Sequence, residues 1–193
     1  MTESGRWQIG VTGHRAERLA EEADANLLDR AVWEVVRRLA HAARDAGFQP
    51  WLLSPLAEGA DRLVARVALV SGYRLRVVLP FPRSRYEKDF GSPRSLNEFR
   101  TLLGEAQEVE ELSLRGGGYA AVGEVVARNS SLLIAIWDGA PAQGAGGTQE
   151  VVAAALKREI PVVWIPLEPP HRPLVLPGDV PFDAWLVAAT GAS

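Results

Sequence analysis

Residues 131–150 read SLLIAIWDGAPAQGAGGTQE, and this stretch decides the fold. Leu132–Trp137 is an unbroken apolar run with the length of a strand that is buried on both faces. A glycine-rich loop follows it, and a helical pattern begins at Thr148. A buried strand that passes through a loop into a helix is typical of α/β proteins, so we place this strand at the centre of a sheet.

The same alternation of strands and helices extends in both directions from this stretch. Apolar runs predict strands at about 7–12, 50–54, 74–79, 108–112, 131–137 and 160–165. Helical spacing predicts helices at about 24–46, 59–70, 93–106, 119–128 and 148–158. Because right-handed crossovers between parallel strands place helices on both faces, we predict an α/β fold with a doubly wound, mostly parallel, Rossmann-like sheet of about six strands.

Length and composition limit the other properties of the chain. With 193 residues we expect one domain at 1–166, followed by a proline-rich tail at 167–193 that packs on the same domain. The absence of cysteine excludes thiolate nucleophiles, Cys-ligated zinc and iron–sulfur clusters. A net charge of −3 argues against nucleic acid or a membrane surface as partner. No apolar run could span a bilayer and no signal-peptide layout is present, so we expect a cytoplasmic protein.

Three loops that follow strands are the candidate binding sites, since open parallel sheets bind ligands at the carboxyl ends of their strands. The first loop contains Gly13, His14 and Arg15. Gly13 lets the backbone approach a ligand, and the two side chains after it can donate to an anion. The alternative is a tight turn with an exposed histidine and arginine.

The second loop leads into a helix through Gly59, Ala60 and Asp61. Two small residues leave room for a ligand at the helix start, and we assign the base or ribose of a nucleotide to this loop. A carboxylate in the first helical turn also complements the helix dipole, so capping is the alternative role of Asp61.

The third loop gives the strongest signal. Bare main-chain amides at a helix N-terminus form a cradle for a phosphate. We assign Thr148 to capping the helix or to a phosphate oxygen, and Glu150 to a ribose hydroxyl or to general-base chemistry. A flexible loop is the alternative. The candidate residues here are Asp138, Gly144, Gly146, Gly147, Thr148 and Glu150.

Two further features carry weaker signals. The segment at 81–90 contains two arginines and Tyr86, which predicts either a lid over a ligand or a solvated loop. His41 and His171 have no partner at metal-ligand spacing, so we expect no metal site.

Taken in order, the three loops resemble the SLOG superfamily, the Rossmann-like group that includes the LOG phosphoribohydrolases and the DprA-type domain. The resemblance covers about residues 7–166 and rests on the Gly-Val-Thr-Gly-His-Arg run at 10–15, Glu-Gly-Ala-Asp at 58–61 and Trp-Asp-Gly at 137–139 with Gly-Gly-Thr at 146–148. It implies binding of a nucleotide or a nucleotide-derived signal. It also implies a homo-oligomer, because members tend to dimerise through helices.

The sequence departs from the LOG pattern of Pro-Gly-Gly-x-Gly-Thr-x-x-Glu with an arginine on the preceding helix. No proline leads the glycines, and Glu150 follows Thr148 by two residues instead of three. The position of the arginine falls near Val122, and Arg128 lies on the same helix. The catalytic candidates are therefore Glu150 and Arg128, with Arg15 as a substitute.

Three functions follow from these observations. The first is a module that binds a nucleotide such as AMP or an ADP-ribose-like ligand without a resident cofactor. The alternative is a LOG-like phosphoribohydrolase that releases a base from a nucleoside 5′-monophosphate. The third is DprA-like DNA binding, which the net charge and the lack of a basic stripe disfavour.

Overall fold

One sheet organises the residues that the computed structural model describes, which are 5–140 and 146–191. Its strands are β1 (Gly5–Gly13), β2 (Phe48–Ser54), β3 (Arg74–Leu79), β4 (Glu108–Glu111), β5 (Leu132–Trp137), β6 (Val162–Pro166), β7 (Leu174–Leu176) and β8 (Val180–Pro181). They lie in the order β4-β3-β2-β1-β5-β6-β7-β8. Strands β1 to β6 pair in parallel, and β7 and β8 continue the sheet antiparallel. The mostly parallel sheet is confirmed.

Helices cover both faces of this sheet, as predicted. They are α1 (Ala16–Glu22), α2 (Ala25–Asp45), α3 (Ala60–Val70), α4 (Arg83–Tyr86), α5 (Pro93–Gly104), α6 (Tyr119–Arg128), α7 (Thr148–Leu156) and α8 (Phe182–Thr190), with a short 3-10 turn at Glu87–Asp89. One buried cluster joins α2, α3, α5 and α8 to one face, and a second joins α6 and α7 to the other.

The apolar pattern explains why these elements form. In β5, Ile134 and Ile136 belong to the first cluster while Leu133 and Ala135 belong to the second, so the strand is buried on both faces. The start of α2 is fixed by Asp24, whose carboxylate accepts the backbone N–H groups of Asn26 and Leu27, both at 3.0 Å. The sequence pattern is therefore sufficient to predict both the central strand and the longest helix.

Three helices lie outside the five predicted above; one of them is α8 in the tail, and the other two, α1 and α4, border the site described below. Helix α1 buries none of its residues, so no apolar stripe marks it. Helix α4 has four residues, which is too short for a periodic pattern. The strands beyond the predicted six lie in the tail, where Leu174–Leu176 pairs with β6.

The strand order reverses between β1 and β5, because β2, β3 and β4 extend to one side and β6 to the other. Connections leave these two strands in opposite directions and open a crevice at their carboxyl ends. None of the helices within the described ranges is both long enough and apolar enough to cross a membrane.

Candidate functional site

A cavity of about 310 Å³ lies at the carboxyl ends of β1 and β5. It joins the loop after β1, the loop before α7, the first turns of α3 and α6, and the end of α4. The polar and glycine residues along its wall that bear on function are Thr12, Gly13, His14, Arg15, Arg18, Asp61, Tyr86, Tyr119, Asp138, Gly146, Gly147 and Thr148. The structure thus brings residues of all three predicted loops together.

The loop after β1 is held between β5 and α3. The His14 N–H donates to the Ile136 carbonyl, and the Ala60 N–H donates to the His14 carbonyl, both at 3.0 Å. A Cβ on Gly13 would lie 2.4 Å from the Ala60 Cβ, and one on Gly59 would lie 2.4 Å from the His14 oxygen. Both glycines therefore permit close packing of main chain, and Gly59 and Ala60 lie behind the residues that line the cavity.

Asp138 contacts two basic side chains at the rim of the cavity. Its Oδ1 lies 3.0 Å from His14 Nε2, and its Oδ2 lies 2.5 Å from an Arg18 nitrogen. Burial opposes the charge of Asp138, but the Ala140 N–H, His14 and Arg18 outweigh it and lower the pKa of this carboxyl. His14 and Asp138 therefore hold the ends of β1 and β5 together.

Arg15 keeps its charge available. It forms no ion pair with any residue that the structure describes, and its guanidinium carbon lies 5.4 Å from the centroid of the Tyr119 ring. Burial disfavours the cation, but nearby Tyr86, Tyr119 and Asp61 outweigh that effect and raise the pKa of Arg15. A positive charge in a partly buried cavity attracts an anionic ligand strongly.

Asp61 is a buried carboxyl whose acidity is weakened. Burial raises its pKa to about 7, although the Ala57 N–H, Arg15 and Arg62 act in the opposite direction. Its Oδ2 accepts the Ala57 N–H at 3.1 Å. Helix α3 begins after Gly59 without a side-chain cap, so Asp61 closes the preceding loop and does not cap the helix.

Tyr86 was the least expected member of the site. The segment at 81–90 was predicted to be a lid or a solvated loop, but this side chain is 0% exposed. Its hydroxyl is buried without a hydrogen-bond partner in the described part of the chain. Tyr86 therefore forms part of the fixed cavity wall.

The start of α7 presents backbone donors to the cavity. The Gly146 N–H already donates to the Glu150 carboxylate at 2.7 Å. The N–H groups of Gly147 and Thr148 have no acceptor among the described residues. Gly147 is the N-cap position and no side chain caps the helix, so the capping role of Thr148 is not observed. Two of the predicted amides are therefore free for a ligand, and one is used by the protein.

The residues assigned to catalysis do not meet at this cavity. Glu150 is exposed at the start of α7, and Arg128 is exposed at the end of α6. Since α6 and α7 both precede parallel strands, these residues lie at opposite ends of the helix pair. Val122, the position of the LOG arginine, does line the cavity. Gly144 lies outside the described residues.

Sequence reasoning missed Arg18, Tyr86 and Tyr119 as cavity residues. Arg18 lies on a helix without an apolar stripe, and Tyr86 lies among charged residues that resemble a surface loop. Tyr119 was placed correctly at the start of α6, and its position at a helix N-terminus beside a glycine run was the available signal. Among the described residues, no three acidic, histidine or cysteine side chains form a group that could hold a metal ion.

No known protein-family model matches the chain, and no curated protein matches its sequence. Solved structures do match. DNA processing protein A from Helicobacter pylori aligns at a TM-score of 0.54 and 15% identity, over 97% of this chain and 74% of that one. The Streptococcus pneumoniae protein of the same name aligns at 0.51 and 17%, over 83% of this chain and half (50%) of that one.

The molybdenum cofactor carrier protein from Chlamydomonas reinhardtii aligns at a TM-score of 0.50 and 20% identity, over 86% of this chain and 81% of its own length. At sequence identities this low, structural likeness establishes the fold and does not identify a ligand. The order of the strands, the crevice between β1 and β5 and these likenesses agree: the chain has the mostly parallel, Rossmann-like fold that these solved structures share with it.

Proposed function

We propose that this protein binds a nucleotide or a nucleotide-derived small molecule in the cavity between β1 and β5. The observation that carries the proposal is that one cavity combines Arg15, which has no ion-pair partner among the described residues, with the Gly147 and Thr148 amides, which have no acceptor among them. A guanidinium and the amides of a helix N-terminus are the groups that bind phosphate in proteins.

The balance of charge in the cavity also favours an anion. Arg18 pairs with Asp138 and Glu22, which leaves Arg15 as the arginine of the described lining without an ion-pair partner. Asp61 opposes it only in part, because its raised pKa leaves the carboxyl partly protonated at neutral pH. The dipole of α7 adds partial positive charge at the same place.

The size of the cavity favours a small nucleotide. Ligand pockets commonly measure about 300–1,000 Å³, and a cavity of about 310 Å³ is at the lower end of that range. A nucleoside monophosphate suits this volume better than an extended dinucleotide does. AMP is therefore the first ligand to test, and ADP-ribose, NAD and cyclic nucleotides are the next.

Titration calorimetry with these nucleotides tests the proposal directly. We expect Arg15→Gln to weaken binding by about ten- to a hundredfold, because a hydrogen bond to a charged group contributes about 1.5–3 kcal/mol. Arg37→Gln on the exposed side of α2 is the matched control, and its affinity should equal that of the unaltered protein. No binding of any nucleotide, or equal loss in both variants, would contradict the proposal.

Single-stranded DNA belongs in the same titration series, since one matching structure is described by its single-stranded DNA binding mode. With a net charge of −3, we expect weak binding that disappears between low and moderate salt. Binding tighter than that of any nucleotide, persisting at moderate salt with the steep salt slope of several phosphate contacts, would replace the nucleotide by DNA as the ligand.

A further inference from the structure

We propose that Asp61 and Tyr86 form a subsite in the cavity that binds the edge of a nucleobase on which a hydrogen-bond donor lies beside an acceptor. This inference rests on the proposed function, which places the phosphate at Arg15 and α7. It adds the two residues that distinguish a base-bearing ligand from a bare sugar phosphate.

The first observation is the position of the Tyr86 hydroxyl. The ring makes edge contacts with Phe90 and Phe99, with centroid distances of 5.0 and 5.6 Å, which fix its orientation. Tyr86 lines the cavity together with Asp61 and Arg15, and its buried hydroxyl interacts electrostatically with both. Burial raises the pKa of Tyr86, which keeps the phenol neutral and able to donate.

The unpaired state of this hydroxyl points to a ligand. Most buried polar side-chain atoms in folded proteins have a hydrogen-bond partner, because an unmade bond is costly. The Tyr86 hydroxyl has none among the residues that the structure describes, and its residue lines the cavity. An acceptor atom of a bound molecule would supply the missing partner.

The second observation concerns the carboxyl of Asp61. One oxygen accepts the Ala57 N–H, and the other has no partner among the described residues. Arg62 does not take it, since the Arg62 side chain donates to the Leu56 carbonyl, to Ser95 and to Glu98. The second oxygen of Asp61 is therefore an acceptor that remains available to an N–H group of a ligand.

The two groups together favour an uncharged heterocycle. A phosphate would be repelled by Asp61, so we place it at the amides of α7. A base edge offers an N–H to Asp61 and a ring nitrogen or carbonyl oxygen to Tyr86. Recognition by buried polar groups of this kind discriminates strongly, because a ligand without the edge leaves them unpaired.

The test compares nucleoside monophosphates with two probes by titration calorimetry. The panel is AMP, GMP, IMP, CMP and UMP; the probes are ribose 5-phosphate and purine riboside 5′-monophosphate, which has a purine ring without an exocyclic group. We expect at least one member of the panel to bind about tenfold or more tightly than either probe. Tyr86→Phe should remove that advantage and leave the affinity for ribose 5-phosphate unchanged.

Two variants keep the test decisive. Asp61→Asn should also remove the advantage, since its amide oxygen can keep the Ala57 N–H while its NH₂ group faces the N–H of the base. Tyr73→Phe is the matched control: the Tyr73 hydroxyl is buried but donates to the Val36 carbonyl at 2.9 Å, away from the cavity. This control should lower the melting temperature without altering binding, whereas Tyr86→Phe should not lower it.

The outcomes separate this inference from the proposed function. If a nucleotide binds and Tyr86→Phe leaves its advantage over ribose 5-phosphate intact, the subsite is wrong and the phosphate site stands. If Tyr86→Phe weakens ribose 5-phosphate equally, the residue does not recognise a base, and the subsite is again wrong. If neither the panel nor ribose 5-phosphate binds, both proposals fall.

Discussion

Replacing Gly59 with alanine is expected to lower the free energy of unfolding by about 3 kcal/mol or more. The residue has a φ of 93°, which L side chains rarely adopt. A Cβ there would also lie 2.4 Å from the His14 oxygen and 2.7 Å from the Ala16 nitrogen. Because the neighbours are main-chain atoms of the loop after β1, they cannot move without separating that loop from α3.

Gly47→Ala is the matched control for this prediction. Gly47 has a φ of 80°, and a Cβ there would have no neighbour within 4 Å. The Gly47→Ala substitution should lower the free energy of unfolding by about 1 kcal/mol, from backbone strain alone. Urea denaturation of the two variants measures the difference directly. Equal losses would show that the contact between Gly59 and the loop after β1 is not as close as the structure indicates.

Asp61→Asn is expected to stabilise the protein in a pH-dependent manner. Burial raises the pKa of Asp61 from 3.8 to about 7, so the native state binds a proton more tightly than the unfolded chain does. Stability therefore falls as pH rises from about 4 to 7. The loss amounts to about 1 kcal/mol at pH 4.5 and about 4 kcal/mol at pH 8.

Asparagine has no such titration, so its advantage over aspartate should grow by about 3 kcal/mol between these two pH values. Denaturant unfolding of both proteins at pH 4.5 and pH 8 gives this difference, and effects of the substitution that do not depend on pH cancel. A difference in the free energy of unfolding that is the same at both pH values would mean that the Asp61 carboxyl is not excluded from water. A ligand that pairs with the Asp61 carboxylate would reduce the cost at high pH.

The candidate site was predicted in part because strand-following loops have a known position in this class of fold. Gly13, His14, Arg15 and Asp138 were expected near each other, since β1 and β5 end at the same edge of the sheet. That expectation needed only the apolar runs and the order of the loops. The partner of each side chain could not be obtained in this way.

Glu150 illustrates that the partner of a side chain cannot be obtained from its local sequence. Its spacing from Thr148 and its place in a first helical turn agree with contact to a sugar, and nothing in the local pattern opposes that assignment. In the folded chain its carboxylate accepts the Gly146 N–H, and Glu150 is not among the residues that line the cavity. Which acceptor takes a given amide depends on the path of the whole loop.

By itself, the sequence determined the alternation of strands and helices, the central position of β5 and the edge of the sheet where a ligand could bind. These properties depend on hydrophobic periodicity and turn residues, which act over a few neighbouring positions. Only the tertiary structure decided that the buried Tyr86 hydroxyl has no partner among the described residues, that His14 and Arg18 contact Asp138, and that Arg15 forms no ion pair within them. Such properties arise from residues far apart in the chain, whose contacts and exclusion from water exist only after the sheet and its helices have packed.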